Sequence, residues 1–91
     1  MSSKNVIANP TVVFREDLDD IAVIFDPDSG KAFSLNHTGV LIWKSLDGKR
    51  SEKDILEKLE TDYNNLPENV EDHLNKFINT MITNGLVGYV A

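Results

Sequence analysis

The spacing of apolar residues changes at Asn36, and this change limits the folds open to the 91-residue chain. Before Asn36 the apolar residues form short runs or alternate with polar ones, which is typical of β-strands. After Asn36 they recur every three or four residues, which is typical of helices. A chain of this length forms one compact domain. The sequence therefore predicts an α+β domain in which strands precede helices.

Two apolar runs and a turn signal begin the predicted sheet. Val12–Phe14 is β-branched and aromatic, and Ile21–Phe25 is a continuous apolar run, as in a strand covered on both faces. An acidic turn over residues 16–20 separates the two runs. Asp26–Gly30 combines proline, aspartate, serine and glycine, which favours a hairpin turn. Lys31–Leu35 then completes a predicted three-stranded antiparallel meander.

Three helices are predicted after the meander. Asn36 is the expected N-cap of a short helix with its body over Gly39–Leu46, which Asp47-Gly48 stops, and Ser51 is the expected N-cap of the second helix. Pro67 suits the first turn of the third helix, and Gly85 suits its C-terminal end. The apolar stripe of the third helix consists of Val70, Leu74, Phe77, Ile78, Met81 and Ile82.

The predicted order of elements is β-β-β-α-α-α. This order indicates a winged helix-turn-helix-like fold, with a three-stranded antiparallel sheet followed by a three-helix bundle. Residues 1–10 are mostly polar and end in Asn-Pro, so we expect a flexible N-terminal arm there. Residues 11–91 form the predicted domain, which closes with Leu86–Val90 as a short strand or a tail.

Composition and charge exclude several classes of function. The formal net charge of −6 opposes the phosphate backbone, so we expect no nucleic-acid partner. Cysteine is absent, and His37 and His73 fall on different predicted elements, so we expect no metal, no cofactor and no catalytic set. No segment approaches the roughly 20 apolar residues of a membrane helix. We therefore expect a cytoplasmic, non-enzymatic protein with no membrane partner.

The third predicted strand, Lys31–Leu35, lies at an edge of the meander. Its N–H and C=O groups lack a partner on one side, so an extended peptide that paired there would gain main-chain hydrogen bonds. Alternation puts Phe33 on the same face as Leu35, which favours a core position for Phe33 over the wall of a pocket. Alternatively, the C-terminal tail or a second copy of the chain covers this edge.

Short motifs in the middle of the chain resemble those of a known family. They are Leu35-Asn36-x-Thr38-Gly39, Ile42-Trp43 and Leu46-Asp47-Gly48, followed by two predicted helices and by Asn84-Gly85-Leu86-Val87. With these motifs the stretch from Val23 to Val87 resembles the PqqD family of peptide chaperones. These chaperones serve ribosomally made, post-translationally modified peptides (RiPPs), and their domain is also called the RiPP recognition element.

The resemblance implies a winged-helix-like domain that binds the leader of a precursor peptide as an added strand. It also implies that the domain presents this leader to a modifying enzyme, often a radical S-adenosylmethionine (SAM) enzyme, and performs no chemistry itself. In this interpretation the motif residues Leu35, Trp43, Leu46 and Gly48 belong to the scaffold.

The expected binding surface is the third strand together with one flank of the third helix. Of the two flanks, Glu71, Asn75 and Asn79 form one, and we favour the other because Lys76 would meet an acidic leader residue. The predicted peptide-binding residues are Lys31, Ala32, Phe33, Ser34, Leu35, His73, Lys76 and Thr80.

Two other classes of function stay open on the sequence. The last two predicted helices can form a helix-turn-helix, as in a winged-helix DNA-binding regulator, although Glu71 and Asp72 on the third helix oppose the approach of phosphates. A dimerisation module is the other alternative, in which a homodimer pairs the edge strands of two copies.

Overall fold

The described part of the chain, residues 4–16, 21–63, 66 and 68–90 of a computed structural model, contains three helices and two three-stranded antiparallel sheets. The predicted α+β class is confirmed. In chain order the elements are β1 (Asn5–Ala8), β2 (Val13–Glu16), β3 (Ala22–Phe25), β4 (Ala32–Leu35), α1 (His37–Lys44), β5 (Asp47–Ser51), α2 (Glu52–Asp62), α3 (Val70–Thr83) and β6 (Val87–Tyr89).

The first sheet is the predicted meander, in the order β2-β3-β4. Its register has no bulge and places Phe14, Ile24 and Phe33 opposite one another. The hairpin turn between β3 and β4 forms as expected, because the Asp26 carboxylate accepts hydrogen bonds from the Asp28 N–H at 3.0 Å and from the Ser29 hydroxyl at 2.9 Å. These side-chain bonds hold β4 in register with β3.

The first sheet is covered on one face only, so the prediction that Ile21–Phe25 is covered on both faces is wrong. Ala22 and Ile24 are fully buried, whereas Ile21 is 50% exposed and Phe25 is 39% exposed. Successive side chains of a strand point to opposite faces, and the core takes only one of the two sets. A continuous apolar run cannot by itself distinguish these two situations.

The second sheet has the order β5-β1-β6 and was not predicted. Its central strand is β1, so the expectation of a flexible arm is wrong over Asn5–Ala8. Val6 is fully buried, which explains why this segment is ordered. Two further main-chain bonds hold the end of the strand, from the Ala8 N–H to the Leu46 carbonyl at 3.0 Å and from the Asn9 N–H to the Leu86 carbonyl at 2.9 Å.

Side-chain caps fix the starts of the first two helices. The Asn36 side chain accepts a hydrogen bond from the Gly39 N–H at 2.9 Å. Ser51 and Asp54 form a reciprocal capping box, with N–H to side-chain distances of 3.2 and 3.1 Å. Both predicted N-caps are therefore confirmed.

The third helix ends at the predicted place. Gly85 has a φ of +77°, its N–H donates to the Ile82 carbonyl at 3.0 Å, and the Leu86 N–H donates to the Met81 carbonyl at 2.9 Å. This pair of bonds is a Schellman motif, which needs a residue that tolerates positive φ. The predicted helix start at Pro67, and residues 17–20 of the predicted acidic turn, lie outside the described residues; α3 begins at Val70.

The motif residues belong to the scaffold, as the resemblance implies. Leu35, Trp43 and Leu46 are all buried in the core. Gly48 has a φ of +80°, and a Cβ atom there would lie 3.1 Å from the Ile7 Cδ1 atom. Gly48 is thus required both by its backbone conformation and by the close approach of β5 to β1.

Asp47, next to that glycine, has a pKa below its usual range. The main cause is the hydrogen bond that its carboxylate accepts from the Lys49 N–H at 2.9 Å, and the charge of Arg50, which pairs with the same carboxylate, adds to it. The folded state therefore favours the ionised carboxylate more than the unfolded state does.

Replacing Asp47 with asparagine should lower stability at neutral pH and not in strong acid. Because the folded-state pKa is depressed, the carboxylate stabilises the fold above the unfolded-state pKa of about 4. That contribution disappears as the pH falls through the folded-state pKa. Urea unfolding of both proteins at pH 7 and at acid pH measures the difference between their free energies of unfolding. A difference that stays constant across this range would contradict the assignment.

Candidate functional site: a groove between strand β4 and helix α3

Strand β4 and helix α3 border an open groove of about 480 Å³. We call it the β4–α3 groove. Its wall on the strand side comes from β4 and the start of α1, and its opposite wall comes from α3. The lining residues are Ile21, Phe33, Ser34, Leu35, Asn36, Thr38, Gly39, Ile42, His73, Phe77 and Met81. Most of this lining is apolar, which is typical of sites that bind an apolar side chain.

The free edge of β4 lies beside this groove. In the part of the chain that the structure describes, β4 pairs with β3 only. The Asp26 N–H donates to the Lys31 carbonyl at 2.9 Å, so this pair marks a position where the facing main-chain groups of β3 and β4 bond. Such pairs alternate along an antiparallel ladder, so the N–H and C=O groups of Ala32 and Ser34 point away from β3.

The side chains of these two edge residues leave β4 open to a further strand. Ala32 and Ser34 are exposed, and neither side chain carries a charge or a large group that would obstruct a neighbouring strand. The alternating partners, Phe33 and Leu35, instead point toward the core face and the groove. The edge therefore presents main-chain hydrogen-bonding groups directly beside an apolar pocket.

The structure distinguishes the two flanks of α3. His73, Phe77 and Met81 line the groove. The opposite flank turns toward α2, since the Asn75 side chain donates to the buried Glu52 carboxylate at 3.2 Å and the Asn79 side chain donates to Asn75 at 3.1 Å. Of the two flanks, the one that borders the groove is therefore the flank with His73, which the sequence also favoured for peptide binding.

The predicted site residues separate into two groups. Phe33, Ser34, Leu35 and His73 line the groove. Ala32 belongs to the open edge without lining the groove. The remaining predicted residues, which do not line the groove either, are Lys31, Lys76 and Thr80.

Phe77 and Met81 line the groove although the sequence assigned them to the core stripe of α3. Phe77 is only half-buried and packs against the core while it lines the groove. Phe33 has the same double role, so its expected core position describes only part of its surroundings. The hint in the sequence was the width of the apolar stripe of α3, which has six members; the structure buries four of them.

The described lining of the groove carries no carboxylate. The chain contains 15 acidic residues, yet no described residue that lines the groove is an aspartate or glutamate. At the start of β4, the Lys31 ammonium donates to the Asn84 side chain at 3.2 Å, so a cation lies between the strand and the end of α3.

Among the described residues, no group of three or more histidine, cysteine, aspartate or glutamate side chains is placed to hold a metal ion. The helices within residues 37–62 and 70–83 are all too short or too polar to cross a membrane.

One protein family matches most of the sequence. The profile of the family described as coenzyme PQQ synthesis protein D (PqqD) matches residues 22–87, which include β3, β4 and all three helices. No curated protein matches the sequence.

Solved structures share the fold over nearly the whole chain. One is described as TbiB1 in complex with the TbiA(beta) leader peptide, with 24% identity, a TM-score of 0.71, and coverage of 93% of this chain and 99% of that one. Another is lasso peptide synthetase B1 complexed with the leader peptide, with 23% identity, a TM-score of 0.71, and coverage of 92% and 98%. At these identities the likeness establishes the fold.

The same fold also occurs inside a larger protein. The heterocyclase TruD matches with 16% identity and a TM-score of 0.68, covering 97% of this chain but only 12% of the TruD chain. The arrangement of two sheets and three helices is therefore found both as a short chain and as a small part of an enzyme.

Proposed function

We propose, from the premise that this chain belongs to the family of coenzyme PQQ synthesis protein D (PqqD), that it is a peptide-binding adaptor. Its ligand is the leader segment of a ribosomally made precursor peptide. The leader binds as an added strand on β4 and places alternate side chains in the β4–α3 groove. The adaptor presents the leader to a separate modifying enzyme and performs no chemistry itself.

The observation that carries this proposal is the position of the free edge beside the groove. The outward-pointing groups of Ala32 and Ser34 supply main-chain hydrogen bonds, which give affinity for any extended peptide. The pocket formed by Phe33, Phe77 and Met81 supplies selectivity for an apolar side chain. Strand addition uses both kinds of contact at once, because successive side chains of the added strand alternate between two faces.

The structures with the same fold support the choice of ligand. Two of them are described as complexes with a leader peptide, and we infer that this chain binds a ligand of the same class. The partner that receives the leader is a radical SAM enzyme or another modifying enzyme of precursor peptides. Such an adaptor would act in the cytoplasm, where precursor peptides are made.

A peptide titration followed by amide NMR tests the function. The probe is a peptide selected on this protein from a phage-displayed library of random dodecapeptides. We expect the largest shifts in residues 31–35 and on the flank of α3 that contains His73 and Phe77. Failure to select any binding peptide, or binding that leaves both elements unshifted, would overturn the proposal.

Replacing Ser34 with proline should weaken binding of the same peptide by about two- to tenfold. Proline removes the outward N–H of Ser34, and one main-chain hydrogen bond contributes a net ~0.5–1.5 kcal/mol. Proline is tolerated at an edge strand where the lost N–H faces outward, so the fold should survive. Isothermal titration calorimetry measures the affinity. Ser34→Ala, which keeps the N–H, is the matched control and should bind more tightly than Ser34→Pro.

A further inference from the structure

The face of the first sheet that points away from the core is unusually apolar. We call it the outer face; Val23 and Phe25 of β3 point this way, and alternation puts Ile21, the residue before β3, on the same side. Antiparallel sheets with one face on a core usually expose polar residues on the other. Here Ile21 is 50% and Phe25 is 39% exposed, and both neighbour the edge strand β4 or the groove.

The register arranges the outer face in rows that run to the open edge. One row contains Val13, Phe25 and Ala32, which lie directly opposite one another on β2, β3 and β4. The row ends at the small side chain of Ala32, beyond which an added strand would lie. Within this row, Phe25 is therefore the large apolar group nearest to the outer side of a bound peptide.

We propose that Phe25 is a second specificity determinant, which selects a large apolar side chain on the outer side of the bound leader. This inference rests on the proposed function, since it requires a strand on β4. The leader residue beside Ala32 would extend over the Ala32 methyl group and pack against the Phe25 ring. The leaders recognised are thus those with apolar side chains at two successive positions, one in the groove and one on the outer face.

Strand geometry allows this contact. Neighbouring strands lie about 4.8 Å apart, so the added strand would lie about 9.6 Å from β3. A large side chain on each of these two strands can meet above Ala32, because Ala32 has no atoms beyond Cβ. The outward N–H and C=O groups of Ala32 bind the leader at that position, so its side chain falls in the row of Phe25.

Continuity with the groove makes the leader the occupant of this surface. Ile21, which lies on the outer face, also lines the β4–α3 groove together with Ser34 and Phe33. The two apolar surfaces therefore meet around the end of β4. A single extended chain on this edge contacts both, because its side chains alternate between the two faces.

A double-mutant cycle on a selected peptide tests the inference. A peptide is selected from the random dodecapeptide library, each of its positions is changed to alanine, and the affinities are measured on the original protein and on Phe25→Ser. We expect Phe25→Ser to weaken binding by up to about fivefold, the size of a cross-strand apolar pair. This loss should couple to one peptide position, adjacent in sequence to the position that couples to Phe77→Ala.

Val13→Ser is the matched control for Phe25→Ser. Val13 is 45% exposed and lies in the same row, but it is one strand further from the edge. A peptide bound on β4 does not reach it, so its replacement should leave the affinity unchanged. An equal loss in both variants would show a general effect on the sheet and would overturn the role of Phe25.

The other outcomes separate this inference from the proposed function. If Phe25→Ser binds normally while Ser34→Pro and Phe77→Ala bind weakly, the leader binds on β4 and Phe25 has no part in selecting it. If none of the three variants changes binding, the proposed function itself fails. If Phe25→Ser converts a dimer to a monomer in sedimentation without changing peptide affinity, the outer face is an interface between two copies.

Discussion

A chain that begins at Pro10 should lose a large part of the folding stability of one that begins at Lys4. The truncation removes β1, the central strand of the second sheet, and leaves β5 and β6 without a partner between them. Burial of Val6 contributes about 2 kcal/mol. The carbonyls of Leu46 and Leu86 lose the donors at Ala8 and Asn9, a net ~0.5–1.5 kcal/mol each.

The expected loss is therefore roughly 4 kcal/mol or more, against a total stability of ~5–15 kcal/mol for a typical domain. Urea unfolding followed by circular dichroism measures it. The chain that begins at Lys4 keeps every residue of β1 and is the matched control. Equal unfolding free energies for the two chains would contradict the assignment of β1 to the sheet and would restore the expectation of a flexible arm.

Replacing Phe77 with alanine should weaken peptide binding by about 30-fold or more. Aromatic side chains at the centre of a binding pocket commonly contribute at least ~2 kcal/mol, and Phe77 forms the middle of the helical wall of the groove. Calorimetric titration with a peptide selected on the original protein gives the affinity. Since Phe77 also packs against the core, thermal unfolding of the variant has to be measured beside it.

Asn79→Ala is the control for this experiment. Asn79 lies on the same helix, two residues away, but on the flank that turns toward α2, where it donates to Asn75. We expect its replacement to leave peptide affinity unchanged. Similar affinities for Phe77→Ala and the original protein, with the fold intact, would place the peptide outside the β4–α3 groove.

Local signals account for the parts of the fold that the sequence predicts. The hairpin over Asp26–Gly30, the Asn36 cap and the Ser51 capping box each depend on side chains that act within a few residues. The alternation of Lys31–Leu35 and the helical spacing of α3 are likewise properties of short segments. Such features are readable without knowledge of the rest of the chain.

The second sheet depends on contacts between distant parts of the chain. β1 has only a three-residue apolar run, Val6–Ala8, and β5 contains no apolar side chain at all. The pairing of Asn5 with Ser51 and of Val6 with Tyr89 joins segments more than 40 residues apart. Neither strand has a period of its own that distinguishes it from a loop, so periodicity could not find the sheet.

The sequence likewise predicted only part of the candidate site. Edge position and alternation located β4, but the position of α3 against it depends on packing. The sequence therefore predicted a core position for Phe77. It predicted peptide-binding positions for Lys76 and Thr80, which do not line the groove. A helical wheel shows which residues share a flank; it does not show how far that flank extends beyond the core.

Helix α3, which forms one wall of the groove, is held in place along its whole length. Its buried stripe packs into the core, its Asn75 side is tied to Glu52, and its last turn passes through Gly85 directly into β6 of the other sheet. The wall of the groove is thus joined directly to the second sheet. To alter the peptide preference, we would substitute single side chains such as His73 or Phe25. Moving the backbone of α3 would also displace β6 and the second sheet.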